Sequence, residues 1–324
     1  MDKNLLTEIE IKDFKCFKDF KADGFKRVNL IGGKNNVGKT AFMEGCFINI
    51  SSNNISLMTN ALSSPKHSRE FLEIGFRFLS QEEKKDFLES IYKYNSLSNI
   101  NKVSFSIKEK DGIKEYFFNY NDKKSLVNIN EFSYERERKT NIKFISQLGF
   151  TKFQLKQVFI AVQQKDKEEI LYKYINEFDA NVLNFKILGG DNPSCKVVDR
   201  DEYQSINEFG DGLKHYISII CSLYACEDGY LFIDEIDNGI HWTQLDKLWE
   251  IILKTSKEQN VQVFATTHSK ECIESYARVA KKFEYKDICY IKMTRLKDGS
   301  IKAGVRDYEM LENSIEQNHE VRGW

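Results

Sequence analysis

The sequence predicts an α/β fold in which a mixed sheet is flanked by helices, with an α+β insertion in the middle of the chain. In the C-terminal third, short apolar strands at 230–233 and 261–265 alternate with segments whose apolar residues recur every three or four positions. Near the N-terminus, a short and mostly apolar strand at 28–31 leads into a glycine-rich turn and then a predicted helix over 40–50. Apolar strands between amphipathic helices are typical of a parallel sheet covered on both faces.

Hydrophobic periodicity also predicts the remaining elements of the chain. They are strands at 7–12, 14–20 and 71–78, a hairpin of 103–107 and 115–120, helices within 153–178, 213–220 and 245–252, and a tail hairpin at Asp298-Gly299 followed by a short helix. No internal repeat is visible in the sequence.

These elements predict one continuous body in three parts. Residues 1–84 and 176–324 are expected to form the two parts of one α/β core, and residues 85–175 an insertion that is part sheet and part helical. The insertion is too short for a long coiled-coil arm. The chain has two prolines and no stretch rich in Gly, Ser or Pro, so we expect no long linker.

The composition is that of a globular protein in a reducing compartment. Of the 324 residues, 41% are apolar and 13% aromatic, which is enough for a substantial core. The seven cysteines are scattered and form no C-x-x-C pair, so reduced thiols are expected. We expect a cytoplasmic protein without a membrane segment, because no apolar run approaches the roughly 20 residues that a membrane helix needs. The net charge of −1 gives no global attraction to nucleic acid, so any DNA contact would be a local patch.

A phosphate-binding motif follows the first apolar strand. It matches G-x-x-x-x-G-K-[ST] and reads Gly33-Lys34-Asn35-Asn36-Val37-Gly38-Lys39-Thr40. Backbone N–H groups of such a loop close around phosphates, and the N-terminus of the next helix adds a favourable dipole. Lys39 would then reach the β- and γ-phosphates of ATP, and the Thr40 hydroxyl would ligate Mg²⁺. The alternative is a chance glycine-rich turn that opens a helix.

Two acids and a histidine are predicted at one edge of the sheet. Asp234 and Glu235 directly follow the apolar strand 230–233, and ligands bind at this edge in open α/β sheets. Asp234 would hold Mg²⁺, usually through water, and Glu235 would polarise the attacking water. His268 follows the next predicted strand and would lie within reach of a γ-phosphate. The alternatives are a solvated acidic turn and a structural histidine.

The order of phosphate loop, glycine-rich helix start, Asp-Glu strand and strand-ending histidine resembles the ABC-ATPase head of the RecF/SMC/OLD group. Within that group, the chain is most similar to small prokaryotic AAA-named ATPases related to OLD proteins. The opening segment Ile11-Lys12-Asp13-Phe14-Lys15 resembles the I-x-N-F-[RK] strand of the group. The resemblance covers residues 1 to 45 and 205 to 275, and it implies an ATPase head that uses ATP and Mg²⁺.

The resemblance assigns roles to two further segments. Residues 209–213, which include Gly210, Asp211 and Gly212, fall where the family has its signature loop, which contacts the γ-phosphate bound by the opposite subunit. Gly210 stands where many relatives have Ser, so recognition would depend on backbone N–H groups, the helix N-terminus and Lys214. Residues 238–241 fall at the D-loop, through which the two sites of a dimer communicate.

An ordinary helix cap and a plain turn are the alternatives for these two segments. The lid glutamine of the family has no clear counterpart in this sequence, and Gln81, Gln163 and Gln164 are weak candidates.

The resemblance implies Mg-dependent ATP hydrolysis that drives head-to-head dimerisation of two copies as a molecular switch. The residues after His268 lack the carboxylate cluster and the length of the Toprim nuclease of OLD proteins, so the chain itself is not expected to be a nuclease. The missing nuclease suggests a separate protein effector, a nuclease or toxin held in check, as in phage defence. A non-hydrolysing nucleotide-binding module is a further alternative, because Gly210 replaces Ser and no lid glutamine is placed.

DNA is another possible partner, as in RecF-like repair proteins. The first 40 residues contain nine Lys or Arg against six acids, and Arg136, Arg138 and Lys139 form a basic cluster. Because Glu135 and Glu137 interleave this cluster, a solvated surface is the favoured interpretation.

Overall fold

The structure is a computed structural model, and it describes residues 5–51, 103–110, 113–120, 141–147 and 149–316. Its strands are β1 (Glu8–Phe14), β2 (Phe17–Asp23), β3 (Val28–Gly33), β4 (Val103–Lys110), β5 (Ile113–Tyr120), β6 (Ile142–Ile145), β7 (Val182–Leu188), β8 (Asn192–Val197), β9 (Gln204–Ser205), β10 (Tyr230–Ile233), β11 (Gln262–Thr266), β12 (Ile288–Arg295) and β13 (Ile301–Asp307). Its helices are α1 (Lys39–Ser51), α2 (Lys152–Gln164), α3 (Glu168–Phe178), α4 (Asp211–Ala225), α5 (Leu245–Glu258), α6 (Lys270–Lys282) and α7 (Tyr308–Glu316). The predicted strand at 71–78 and the charged cluster at 135–139 lie outside the described residues.

The central sheet has the strand order β13-β12-β3-β11-β10-β6. The strands from β12 to β6 run parallel, and β13 pairs antiparallel with β12. Strands β3 and β11 are buried along their whole length, which explains why most of their residues are apolar. The predicted α/β class, a mixed sheet flanked by helices, is confirmed. The parallel arrangement brings the carboxyl ends of β3, β11 and β10 to one edge of the sheet.

Side chains that alternate along each strand join two separate apolar cores, one on each face of the sheet. In β10, Leu231 and Ile233 join the core that also contains α4, α5 and α6. Phe232 points to the opposite face and joins the core formed with α1, β1 and β2. There its ring lies 5.4 Å from the ring of Phe264, measured between centroids. Each face of the sheet is therefore closed by its own set of elements.

Residues 85–175 contribute strands to two sheets. The hairpin predicted around Asp111-Gly112 is formed by β4 and β5, and β5 extends a second sheet by pairing parallel with β1. Strand β6 lies within the range 85–175 predicted as an insertion, yet it pairs with β10 in the central sheet. The division into 1–84, 85–175 and 176–324 remains a prediction, and the structure adds that part of the middle range belongs to the central sheet.

Two features of residues 153–205 differ from the sequence-based expectation. The helical segment within 153–178 consists of two helices, because Asp166 between them has a φ of 52°. Strands β7, β8 and β9 form a small sheet that the periodicity did not predict. A register shift between Val182 and Asn184 disrupts the alternation of β7, and Pro193 lies inside β8, where a proline argues against a strand.

The start of α4 lies directly against the turn that follows Glu235. A Cβ atom added to Gly212 would lie 1.9 Å from the carbonyl oxygen of Gly239. Gly239 has a φ of 71°, in the left-handed region that favours glycine. The two segments that the sequence resemblance singles out, 209–213 and 238–241, therefore meet through backbone contact.

We expect Gly212→Ala to reduce the free energy of unfolding by about 1–3 kcal/mol, because the new methyl group has no space beside Gly239. Urea unfolding followed by circular dichroism measures this loss. Gly210→Ser is the matched control, since a Cβ atom at Gly210 meets nothing within 4 Å and the change should alter stability by only about a few tenths of a kcal/mol. Equal stability of the two variants would contradict the close contact.

Candidate nucleotide site

The loop of residues 33–40 connects β3 to α1 and is braced from two sides. Gly33, Asn36 and Gly38 have φ values of 145°, 60° and 89°, so the backbone turns sharply through the loop. A Cβ atom at Gly33 would lie 2.5 Å from the carbonyl oxygen of Met293. A Cβ atom at Gly38 would lie 2.6 Å from Sγ of Cys16, in the turn between β1 and β2. The glycines of the motif are therefore required both by conformation and by close packing.

The ammonium group of Lys39 is buried at the centre of this loop. Its Nζ donates to the carbonyl oxygens of Gly33 at 2.9 Å and Lys34 at 2.8 Å, and it lies 3.1 Å from Nδ1 of His268. Burial lowers the pKa of Lys39 to about 8, although the charges of Asp234 and Glu235 oppose this shift. Because an ammonium can only donate, Nδ1 of His268 accepts and the ring proton lies on Nε2.

Thr40 and Asp234 meet across the edge of the sheet. The Thr40 hydroxyl lies 3.1 Å from Oδ1 and 3.2 Å from Oδ2 of Asp234. The backbone N–H of Asp234 donates to the carbonyl oxygen of Ile145 at 2.8 Å, which ties the acid to β6. A hydroxyl and a carboxylate are hard oxygen ligands of the kind that Mg²⁺ prefers, so the residues present fit this ion.

Glu235 follows Asp234 with a φ of 52°, in the left-handed region. Its carboxylate oxygen Oε1 lies 3.7 Å from Nε2 of His268. Burial raises the pKa of Glu235, Asp234 and Asp237 add to the shift, and Lys39 opposes it. Burial, with the nearby Lys39 charge, lowers the pKa of His268. A neutral His268 therefore stands between the Lys39 ammonium and the Glu235 carboxylate.

The structure places five predicted site residues in one group, directly beside the remaining residues of the loop 33–40. Hydrogen bonds or close approaches link Lys39, Thr40, Asp234, Glu235 and His268. The segment 210–212 lies at the start of α4 beside Gly239, and its role toward a phosphate remains a prediction. Gln163 and Gln164 lie in the last turn of α2, Gln81 lies outside the described residues, and none is assigned as a lid residue.

Sequence reasoning missed three residues that shape this site. Thr266 hydrogen-bonds both to Asp234 and to the backbone of Glu235. The Thr267 hydroxyl donates to Asp237 at 2.6 Å. Thr266 and Thr267 directly precede His268 in the sequence, but their bonds to the acids after β10 arise only from the pairing of β10 with β11. The third is Arg295, whose guanidinium donates to the carbonyl oxygen of Asn36 at 3.0 Å, and 259 residues separate the two in sequence.

A loop of the G-x-x-x-x-G-K-T sequence between a strand and a helix, with paired acids at the end of a neighbouring strand, defines a P-loop ATPase. The family model described as "AAA domain, putative AbiEii toxin, Type IV TA system" matches residues 28–274, and the chain belongs to this family.

The chain is also similar to individual known proteins. It is 24% identical over 337 residues to an "ATP/GTP phosphatase" of Helicobacter pylori, a match that covers 87% of this chain and 90% of the relative. Among solved structures, it is similar to the "SMC head domain from Thermotoga maritima", at 14% identity and a TM-score of 0.45, over 92% of this chain and 98% of that one. It is also similar to an "SmcHead bound to the C-winged helix domain of ScpA", at 13% identity and a TM-score of 0.48, over 96% and 99% of the two chains. At this distance the structural likeness says nothing of substrate or partner.

His215 of α4 is buried beneath the turn that carries Glu235, with 3% of its surface exposed. It faces the backbone of Glu235 and Ile236, although within the described residues neither ring nitrogen reaches a partner at hydrogen-bonding geometry. Burial lowers the pKa of His215 from 6.5 to about 4, and the two backbone groups oppose this shift. The imidazole is therefore neutral in the folded protein at pH 7.

We expect His215 to make the folded state less stable as the pH falls below 6.5. The unfolded chain binds a proton at His215 near pH 6.5, whereas the folded chain does so only near pH 4, so acid favours unfolding between these values. Between pH 7 and pH 5 the loss attributable to His215 is on the order of 2 kcal/mol. Urea unfolding at both pH values should therefore show a smaller loss for His215→Gln than for the wild type. The same loss in both proteins would contradict a buried, neutral His215.

Proposed function

We propose that this chain is an ATP-gated switch, in which Mg-dependent hydrolysis of ATP controls the head-to-head pairing of two copies. The observation that carries the proposal is the single group formed by Lys39, Thr40, Asp234, Glu235 and His268 at the carboxyl edge of the sheet. Family membership supports the nucleotide chemistry, since the matched region 28–274 includes all five residues.

The loop of residues 33–40 would hold the phosphates. Lys34, Asn35 and Asn36 are exposed, so the loop is open to solvent. The positive φ values along the loop are those of a backbone nest that presents N–H groups to an anion. The Lys39 ammonium now donates to two loop carbonyl oxygens, and it could exchange these for phosphate oxygens without moving far. Phosphate charge would also raise its lowered pKa, so the protonated form is favoured when ATP is bound.

Thr40 and Asp234 would hold the metal. Mg²⁺, when bound there, neutralises negative charge that develops on the transferred phosphoryl group. Asp234 is already oriented for this task by bonds from Thr266 and Thr40. The charges of Asp234 and Glu235 both act on the single Lys39 ammonium, and this excess of carboxylates over cations favours a divalent ion.

Glu235 would orient the attacking water and accept its proton. A carboxylate whose pKa is raised by burial holds a proton more readily than an exposed one, which suits a general base. His268 is positioned with its Nε2 proton toward Glu235 and its Nδ1 toward Lys39. A movement of Lys39 toward or away from a phosphate could therefore shift His268 and, through it, Glu235.

Pairing of two copies would use the segments 209–213 and 238–241. Because Gly212 and Gly239 are in backbone contact, a displacement of one segment would shift the other. Trp242 directly follows the second segment and is 64% exposed, so this part of the surface has a large apolar side chain available for contact. Lys214, the fourth residue of α4, is a basic side chain near the helix start and could contact a phosphate across the interface.

We expect Glu235→Gln to reduce ATP turnover by about a hundredfold or more, because the amide cannot accept a proton from water. Because the variant keeps its bound ATP, it should accumulate as a dimer. Its mass should therefore be twice the 37.9 kDa of the monomer when Mg-ATP is present, and 37.9 kDa without it. Light scattering and phosphate release measure the two effects. Lys39→Ala is the control and should neither bind ATP nor dimerise. A wild type without turnover would favour a non-hydrolysing nucleotide-binding module, and a variant that binds ATP as a monomer would remove the dimer from the proposal.

A separate protein effector, a nuclease or a toxin, is the partner that the surface favours over DNA. Within the described part of the first 40 residues, Lys21 and Arg27 have acidic partners. Lys21 lies within 3.8 Å of Glu8 and 3.5 Å of Glu10, and Arg27 lies 3.3 Å from Asp287. The family description names a toxin and a TA system, which supports a toxin as the other component, and a role in phage defence is part of the proposal.

We expect no specific binding to duplex or single-stranded DNA, with or without ATP, because neutralised basic residues release few counterions. Fluorescence anisotropy with labelled oligonucleotides at about 50 and 200 mM salt measures this. Affinity that falls steeply over this range would instead support DNA as the partner and a role in DNA repair.

No helix among the described residues is both long enough and apolar enough to cross a membrane. We propose a cytoplasmic location, which agrees with thiols that are free at all seven cysteines.

A further inference from the structure

We propose that Thr266 is a positioning residue whose hydroxyl group couples the metal-side carboxylate of Asp234 to the water-activating residue Glu235. The roles of the two acids rest on the proposed function, whereas the coupling itself is read from the hydrogen bonds.

Thr266 is the last residue of β11 and has 1% of its surface exposed. Its Oγ1 lies 2.7 Å from Oδ1 of Asp234 and 2.8 Å from the backbone nitrogen of Glu235. The N–H of Glu235 can only donate, so Oγ1 accepts this bond. The single hydroxyl proton is then left for the Asp234 carboxylate, which can only accept when ionised. The directions of both bonds are therefore fixed.

The first effect of this hydroxyl is to fix the plane of the Asp234 carboxylate. Oδ1 receives the bond from Thr266, and the Thr40 hydroxyl lies near both oxygens. A charge-assisted bond in a buried site is stronger than the same bond in water. The carboxylate is thus held in one orientation toward Thr40, where a metal ion would be shared by the two residues.

The second effect is to hold the backbone of Glu235. A φ of 52° is strained for a residue with a Cβ atom and persists only when surrounding contacts enforce it. Thr266 supplies such contacts twice, since its hydroxyl accepts from the N–H of Glu235 and its carbonyl oxygen accepts from the N–H of Ile236 at 3.0 Å. This conformation directs the Glu235 side chain toward His268.

The hydroxyl group of Thr266 is therefore bonded both to the carboxylate of Asp234, on the metal side, and to the backbone of Glu235, on the water side. A change in the orientation of Asp234 would alter the bond that holds the N–H of Glu235. Removal of the hydroxyl should therefore impair hydrolysis and the use of Mg²⁺, while the phosphate loop, which Thr266 does not touch through these bonds, should still bind nucleotide.

The test compares Thr266→Val, Thr266→Ser and Thr255→Val with the wild type. Valine has the shape and strand preference of threonine but no hydroxyl, and serine keeps the hydroxyl. Thr255 is a threonine of α5 with 1% of its surface exposed, so its replacement controls for loss of a buried hydroxyl elsewhere in the chain. The measurements are kcat, the Mg²⁺ concentration for half-maximal rate, the Kd for ATP without Mg²⁺, and Tm.

For Thr266→Val we expect kcat to fall about 10- to 100-fold and the half-maximal Mg²⁺ concentration to rise about tenfold. The Kd for ATP without Mg²⁺ should change by less than about twofold, since the loop is intact. Thr266→Ser should recover kcat to within about threefold of the wild type, and Thr255→Val should alter Tm alone. A merely structural role for Thr266 would lower Tm without this separation between turnover and nucleotide affinity.

If folded Thr266→Val has the kcat and the Mg²⁺ dependence of the wild type, the inference is overturned. If Glu235→Gln has lost turnover in the same experiment, the proposed function still stands. Full activity of Glu235→Gln would instead overturn the proposed site itself. If Thr266→Val fails to fold, Thr266→Cys replaces it, because a thiol is a weak donor of similar size. Intermediate kcat and Mg²⁺ dependence would then support the coupling, and wild-type values would exclude it.

Discussion

The parallel register of β3, β11 and β10 is the constraint on which the rest of the structure depends. Ile31 of β3 lies opposite Thr266 of β11, and Ala265 lies opposite Ile233 of β10. The three strands therefore end at the same level, and the loop, the histidine and the acid pair begin there. A slip of one residue would turn every side chain of a strand to the other face and separate these groups. The apolar cores on the two faces prevent such a slip, so packing remote from the site determines its geometry.

Charge at this edge is stabilised mainly by hydrogen bonds. Lys39 and Asp234 are both buried, and an isolated charge would be costly there. Each group instead has several partners: carbonyl oxygens and an imidazole for the ammonium, and hydroxyl groups for the carboxylate. Because each group has several partners, a ligand can replace some of them without leaving the charge unpaired.

Local patterns in the sequence predicted the strands at 28–31 and 230–233 and the residues that directly follow them. They could not predict β7 and β8, because a register shift and Pro193 remove the alternation on which a strand prediction depends. Thr266 was also missed, because threonine is common in strands and its role arises only from the pairing of β10 with β11. Contacts such as that of Arg295 with Asn36 depend on the tertiary fold, and nothing local in the sequence indicates them.

The position of β3 between β11 and β12 also affects how the protein is made. Its two neighbouring strands begin at Gln262 and Ile288, more than 200 residues after Val28 in the order of synthesis. During translation, the loop of residues 33–40 would leave the ribosome long before the strands that support it. Pairings between such distant segments form slowly and leave strand edges unpaired in the meantime. The candidate nucleotide site can therefore be complete only after the strands that begin at Gln262 and Ile288 have been synthesised.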